Sequence, residues 1–208
     1  MMVEEEEWIP RTRLGRLVKS GVITSIDEVF AKGYIIREVE IVDTLLPNLD
    51  QELINVKTVQ RQTDAGELTR FQVVVCAGDR EKYVGIGIGK SPEYRIALQK
   101  AIKNAKLNIR PVIKGCGAWE CGCGAPHSVP LTVVGKSGSV RVKLIPAPRG
   151  TGLVIGDTGK IVLSMAGIKD VRSHAKGHKR NKLNYALAVF DALKKIHLYS
   201  GALKRWTI

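Results

Sequence analysis

Aromatic residues make up only 5% of this 208-residue chain. Proteins that read single-stranded nucleic acid stack bases on aromatic rings, so the scarcity disfavours that class and favours contact with folded RNA by shape and charge. Cysteine is sparse as well: there are four, and three crowd between Cys116 and Cys123. Such spacing is not a secreted disulfide framework. No apolar run approaches the length of a bilayer span, and the N-terminus, MMVEEEEWIP, is acidic where a signal peptide would be basic and then apolar. The expectation is a cytosolic protein. Acids are the last deficit, 20 against 33 lysines and arginines, which leaves a net charge of +13 and a pI near 9.7. That balance calls for a polyanionic partner, with nucleic acid first and an anionic membrane second. With 44% hydrophobic residues the chain can bury a core without staples, as two small domains or one of medium size.

The stretch EKYVGIGIGKSPEYRIALQKAIKNAKLNIR, residues 81–110, organises the rest. It reads as a strand carrying Gly85, Gly87 and Gly89, then a helix with Ser91 as N-cap and Pro92 as its first residue. At about 100° per residue, Tyr94, Leu98, Ala101, Ile102, Ala105 and Ile109 share one side and can close over a sheet. Arg95, Lys103, Lys106 and Arg110 share another, as cations on an RNA-contacting helix or on an ordinary solvated one. Backbone without side chains lets a phosphate or another backbone come close, and the glycines leave both open.

Two segments imitate a nucleotide phosphate loop, and both fail by count. Before Gly89-Lys90-Ser91 the first glycine's place is taken by Val84; around Gly156-Asp157-Thr158-Gly159-Lys160, Val154 and Ile161 stand where glycine and a hydroxyl are needed. Nucleotide hydrolysis is therefore disfavoured.

Residues 1–49 read as an arm: a basic helix around Leu14, Leu17 and Val18 ending at Gly21, then another from Thr24 or Ser25 to Gly33. The pieces are short for a core of their own, so the arm either takes order from a neighbour or caps the adjoining domain. From Ile54 strands begin, with turns at Asp64-Ala65-Gly66 and Ala77-Gly78-Asp79, and give an α+β domain at 50–113 of three antiparallel strands and a helix. Its first hairpin carries Arg61 and Arg70 near the tip, candidates for RNA backbone contact or simply a polar turn.

A connector at 114–128 holds Cys116, Cys121, Cys123 and His127, a ligand set that suits tetrahedral zinc. The spacing departs from the usual Cys-x-x-Cys pairs, so free thiols in a packed turn and a disulfide stay open. A catalytic metal is disfavoured, since only Glu120 stands near as a base. The second domain, 129–200, opens with a hairpin turning at Lys136-Ser137-Gly138, its second strand alternating Val140, Val142 and Leu144 with Arg141, Lys143 and Ile145. A glycine-rich loop with Arg149 at its apex then feeds a helix from Asp157 to Ala166. A strand, a basic loop from Arg172 to Lys182 and a long helix at 181–197 come next, with Leu183, Leu187, Phe190 and Leu193 facing a sheet; residues 201–208 are a tail. Charge runs like that loop are most often solvated.

GIGIGKSPEYRIALQKAIKNAK, LIPAPRGTGLVIGDTGKIVLSMAGIKDV and LNYALAVFDAL occur here in one order. Together they resemble the universal small-subunit ribosomal protein five family, in its archaeal form, over about residues 8–200. The resemblance implies a double-stranded-RNA-binding-like first domain and a ribosomal βαβ-type second domain. It also implies a place near the channel where messenger RNA enters, beside ribosomal proteins four and eight, with roles in decoding accuracy and messenger unwinding. The family's protruding loop corresponds to Val59–Phe71. Pro148-Arg149-Gly150-Thr151-Gly152 matches a strongly patterned family segment. The cysteine cluster is a departure, because bacterial members lack it.

The expected function is a non-catalytic constituent of the small ribosomal subunit. Arg61, Arg70, Lys90, Arg95, Lys103, Lys106 and Arg149 are expected to contact ribosomal RNA, and one structural zinc is a candidate ligand. A free-standing RNA-processing factor and a small-molecule kinase are the alternatives.

Overall fold

A computed structural model describes residues 8–203; the acidic run Glu4–Glu7 and the last five residues of the expected tail lie outside them. The chain divides into two compact units, which separate at Leu49 and Asp50.

The first unit holds three short helices, α1 (Arg13–Lys19), α2 (Ile26–Ala31) and α3 (Val39–Leu45). Thr12 caps α1, its hydroxyl accepting from the Gly15 amide at 3.1 Å, while Gly21 and Gly33 take the left-handed φ of 74° and 70° just past the first two helices. The third helix carries no capping signal in its sequence. Its N-cap is Glu38, and that carboxylate is engaged elsewhere: it accepts from the Trp8 indole at 3.0 Å and from the Arg11 and Thr12 amides at 3.0 and 2.6 Å.

The second unit opens with a four-stranded antiparallel sheet in the order β1 (Asp50–Thr63), β2 (Gly66–Gly78), β3 (Tyr83–Ser91), β4 (Arg110–Pro111), with helix α4 (Tyr94–Leu107) on one face. The helix begins later than its sequence indicates. Ser91 pairs with Phe71 and is buried as the last residue of β3, so Glu93 becomes the N-cap. Ala97, Ala101 and Ala105 are the residues α4 buries; Tyr94 is 38% exposed, and Ile109, though buried, lies past the helix end.

The glycines explain this. A Cβ on Gly85, Gly87 or Gly89 would strike the backbone carbonyl oxygen of Ala105, Ala101 or Ala97 respectively. Of the two uses left open for these glycines, the structure takes close approach of another backbone, and side chains larger than methyl do not fit between the strand and that helix face.

A second sheet, in the order β5 (Val133–Ser137), β6 (Val140–Pro146), β8 (Val171–Lys176), β7 (Leu153–Val154), is antiparallel except where β7 runs parallel to β8. Helix α5 (Asp157–Met165) connects those parallel strands, giving the βαβ unit, and α6 (Lys182–Leu203) lies along β5 and β6. The hairpin turn is tighter than expected: Lys136 and Ser137 pair with Arg141 and Val140, so only Gly138 and Ser139 form the loop. The βαβ connection was legible as a loop and a helix, but two-residue β7 is too short to leave a pattern.

The face of the first sheet opposite α4 packs on α5 and α6, so Val74, Cys76, Val84 and Ile86 share one core with Val142, Leu144, Leu163 and Val189. Helix α6 therefore lies between two sheets. Leu183 and Leu187 are only half-buried, while Ala186, Ala188, Val189, Ala192 and Ile196 are fully buried.

Gly87→Ala is expected to destabilise the protein by about 2 kcal/mol or more, since the added methyl meets backbone that cannot yield without moving α4. Urea unfolding compared with Gly122→Ala, where the added methyl meets open space on exposed backbone, checks this. In the first unit, burial raises the Glu38 carboxyl, but the hydrogen bonds from Thr12, Trp8 and Arg11 outweigh it and hold the group below its ordinary 4.5. A depressed carboxyl stabilises above its unfolded value and loses that contribution as pH falls through the folded one. Trp8 emission is thus expected to change below pH 4.5 in the parent and to lose this step in Glu38→Gln.

Candidate functional site

The connector between the sheets closes at its base through paired backbone hydrogen bonds of 2.9 Å between Gly115 and Ser128. A turn over Trp119 and Glu120, closed by the Cys121 amide donating to the Ala118 carbonyl at 3.2 Å, folds the chain back on itself. The irregular cysteine spacing is thereby resolved. Cys116 and Cys123 bring their sulfurs to 3.6 Å, Cys121 Sγ lies 3.6 Å from His127 Nε2, and all four ligand atoms fall within 4.8 Å of one another. Tetrahedral zinc with bonds of about 2.0 to 2.3 Å separates its ligands by about 3.5 to 3.8 Å. The group is close enough to hold a metal.

His127 is oriented from behind. Its Nδ1 lies 2.8 Å from Asp170 Oδ2, both side chains being buried, which assigns the ring proton to Nδ1 and leaves Nε2 to face the thiols. The other Asp170 oxygen accepts the Gly150 and Gly152 amides at 3.1 and 2.8 Å, and those two glycines adopt φ of 90° and 72°. Burial raises the Asp170 carboxyl; the Gly152 amide, His127 and the Gly150 amide outweigh it and hold it below its ordinary value.

The thiols are unequal. The Arg149 amide, with help from Cys123 and His127, holds Cys121 down to about 6, whereas contact with Cys123 and partial burial push Cys116 up to about 11. Three sulfurs this close cannot all ionise unless a cation neutralises them. All four cysteines are free thiols, and Cys76 is a buried core residue whose thiol burial pushes up to about 12.

The seven expected RNA-contacting residues do not form one patch. Arg61, Arg70, Lys90, Arg95, Lys103 and Arg149 are exposed and Lys106 is half-buried. Registers Val59↔Arg70, Arg61↔Leu68 and Gln72↔Lys90 put Arg61, Arg70 and Lys90 on one face of the first sheet, away from α4. Arg95, Lys103 and Lys106 are carried by the helix on the opposite face. Arg149 stands apart, beside the cysteine cluster, where with Lys114 and Lys169 it lines a cavity of about 500 Å³ floored by His127 and Asp170.

Three features escaped the sequence reading. Lys57 pairs with Gln72 and so extends the Arg61–Arg70–Lys90 face, which β alternation alone could have indicated. The basic loop set aside as solvated places His178, Arg180 and Lys182 beside Lys57 and Gln72, around a cavity of about 330 Å³; no sequence signal joins residues so far apart. Trp119, 92% exposed at the tip of the connector, is the third.

These observations define a class: a basic α+β binding protein with charged sheet and helix faces and a Cys₃His group at one end of its second sheet. Residues 49–113 match the family model described as ribosomal protein S5, N-terminal domain, and residues 135–205 the one described as ribosomal protein S5, C-terminal domain. Among similar proteins are the small ribosomal subunit proteins uS5 of Pyrobaculum islandicum, Thermofilum pendens and Methanothermobacter thermautotrophicus. The first is 57% identical over 198 residues, covering 95% of this chain and 98% of the relative. The second is 58% identical, covering 93% and 96%, and the third 55%, covering 92% and 88%. The chain belongs to the ribosomal protein S5 family, as its glycine-rich segments indicated.

Proposed function

We propose that this protein is a structural, non-enzymatic constituent of the small ribosomal subunit in the cytoplasm, bound to ribosomal RNA and to neighbouring ribosomal proteins. The match of both halves to one ribosomal family over most of the chain carries this reading. The geometry supports it, because the charge is spread over several rigid faces. Lys57, Arg61, Arg70 and Lys90 offer one, and α4 offers Arg95, Lys103 and Lys106 on another. Many phosphate contacts, each weak, suit an RNA already folded to shape. The finer placement, near the channel where messenger enters and beside ribosomal proteins four and eight, with a part in decoding accuracy, derives from the family resemblance and belongs to the same proposal. Among the described residues no helix is long and apolar enough to cross a membrane.

Co-sedimentation of the tagged chain with small subunits in a sucrose gradient is the expected result. Replacing Arg61, Arg70 and Lys90 with Gln should reduce the log–log salt dependence of RNA binding by about 2 to 3 units, since each phosphate contact contributes about 0.7 to 0.9. A slope equal to the parent's removes that face from the RNA interface.

The Cys₃His group is proposed to hold one zinc in a structural role, with Cys116, Cys121, Cys123 and the Nε2 of His127 as its ligands. Four protein ligands leave no open position for a substrate. Elemental analysis of protein purified without chelators should give about one zinc per chain, and Cys121→Ser should reduce zinc retention at least tenfold. Metal-free parent protein would discard the zinc reading while leaving the ribosomal one intact.

A further inference from the structure

We propose that metal bound at the Cys₃His group acts as the clamp of the Pro148–Gly152 loop, so that metal loading sets the position of Arg149 and its capacity to bind phosphate. The inference rests on the reading of that group as a zinc site.

The loop is gripped by a residue that also holds a ligand of the cluster. Asp170 receives the Gly150 and Gly152 amides on Oδ1 and the His127 Nδ1 proton on Oδ2, so one buried carboxylate joins the loop to a ligand ring. The strand side is tied in as well, because the Lys169 and Asp170 amides donate to the His127 carbonyl at 3.0 and 3.2 Å. Beyond this, the Val171 amide donates to the Gly152 carbonyl at 3.1 Å and ties the C-terminal end of the loop to β8. Gly150 and Gly152 have open space about their Cα atoms, and the Thr151 amide and hydroxyl bond only within the loop, to the Pro148 carbonyl at 3.3 and 2.8 Å.

A metal fixes the imidazole ring and Cys121 Sγ together. Without it, only the hydrogen bond to Asp170 orients the imidazole, and the hold of that carboxylate on the two loop amides is loosened. Metal-ligating histidines commonly pass their second ring proton to a carboxylate, and such carboxylates typically change metal affinity 10- to 100-fold when removed. Here the same carboxylate also carries two loop amides, and this couples the ion to the loop. The output is electrostatic: Arg149, Lys114 and Lys169 line one cavity beside the cluster, and a phosphate group is the ligand chemistry that three cations in such a cavity recognise. Asp170 is a positioning residue in this scheme and Arg149 the contacting one.

The test compares full-length protein loaded with one equivalent of zinc and the same protein stripped by a chelator, with amide exchange measured residue by residue. The expected result is exchange at Gly150 and Gly152 at least tenfold faster after stripping, with amides of β5 and β6 unchanged. Binding of a ribosomal RNA fragment should then lose salt dependence by about one phosphate contact, as it should in zinc-loaded Arg149→Gln. Zinc binding with unchanged exchange at these two amides overturns the clamp and spares the zinc reading; failure to bind zinc overturns both. Should the stripped chain unfold throughout, Asp170→Asn decides. It keeps all four ligands, so a 10- to 100-fold loss of zinc affinity together with exposed loop amides supports the coupling, and parent-like affinity and exchange overturn it.

Discussion

Both sheets depend on the same close contact, a strand glycine laid against a helix alanine with no side chain between. In the first sheet Gly85, Gly87 and Gly89 meet the backbone at Ala105, Ala101 and Ala97; in the second, Gly135 meets it at Ala188 and Ala192. Dispersion is steep in distance, so helices seated this closely gain contact with the sheet that larger residues would forfeit. The seating also fixes orientation. With α4 held on one face of its sheet, the other is free to pack on α5 and α6, and a continuous core runs through the second unit.

That shared core explains how charge can be distributed without loss of stability. Arginines and lysines at the hairpin tip, on α4 and in the 148–152 loop lie at the ends and outer faces of elements whose inner faces are anchored by Val, Ile and Ala. Their mutual repulsion is spread over separate surfaces rather than concentrated in one field. A partner that wraps several faces, as folded RNA does, can collect all of them, whereas a small ligand would reach only one set.

The connector solves a different problem. Irregular backbone has no ladder to hold it, and here a two-bond bridge between Gly115 and Ser128, a close group of three thiols and an imidazole, and one buried carboxylate behind that imidazole do so instead. Asp170 is central because its oxygens bond two different partners, the His127 imidazole and the amides of a loop. From the sequence, Asp170 is merely an acid before a strand. It gains meaning only when residues 127 and 150–152 arrive beside it.

What the residues alone determined was local. The main strands and helices of the second unit, the αL glycines at 21 and 33 and the family all come from patterns within about a dozen neighbours, where backbone sterics and side-chain chemistry act directly, whereas α3, β4 and β7 left no such pattern. Even there, the start of α4 and the hairpin turn at Gly138 shifted, because strand pairing outweighed capping preference at Ser91 and turn preference at Lys136. Tertiary structure alone decided which face each cation occupies, that three glycines receive a helix rather than a phosphate, that Lys57 and Arg180 line one cavity and that Asp170 meets His127. Those outcomes depend on strand register and on packing between segments tens of residues apart, and no periodicity along the chain encodes such distances.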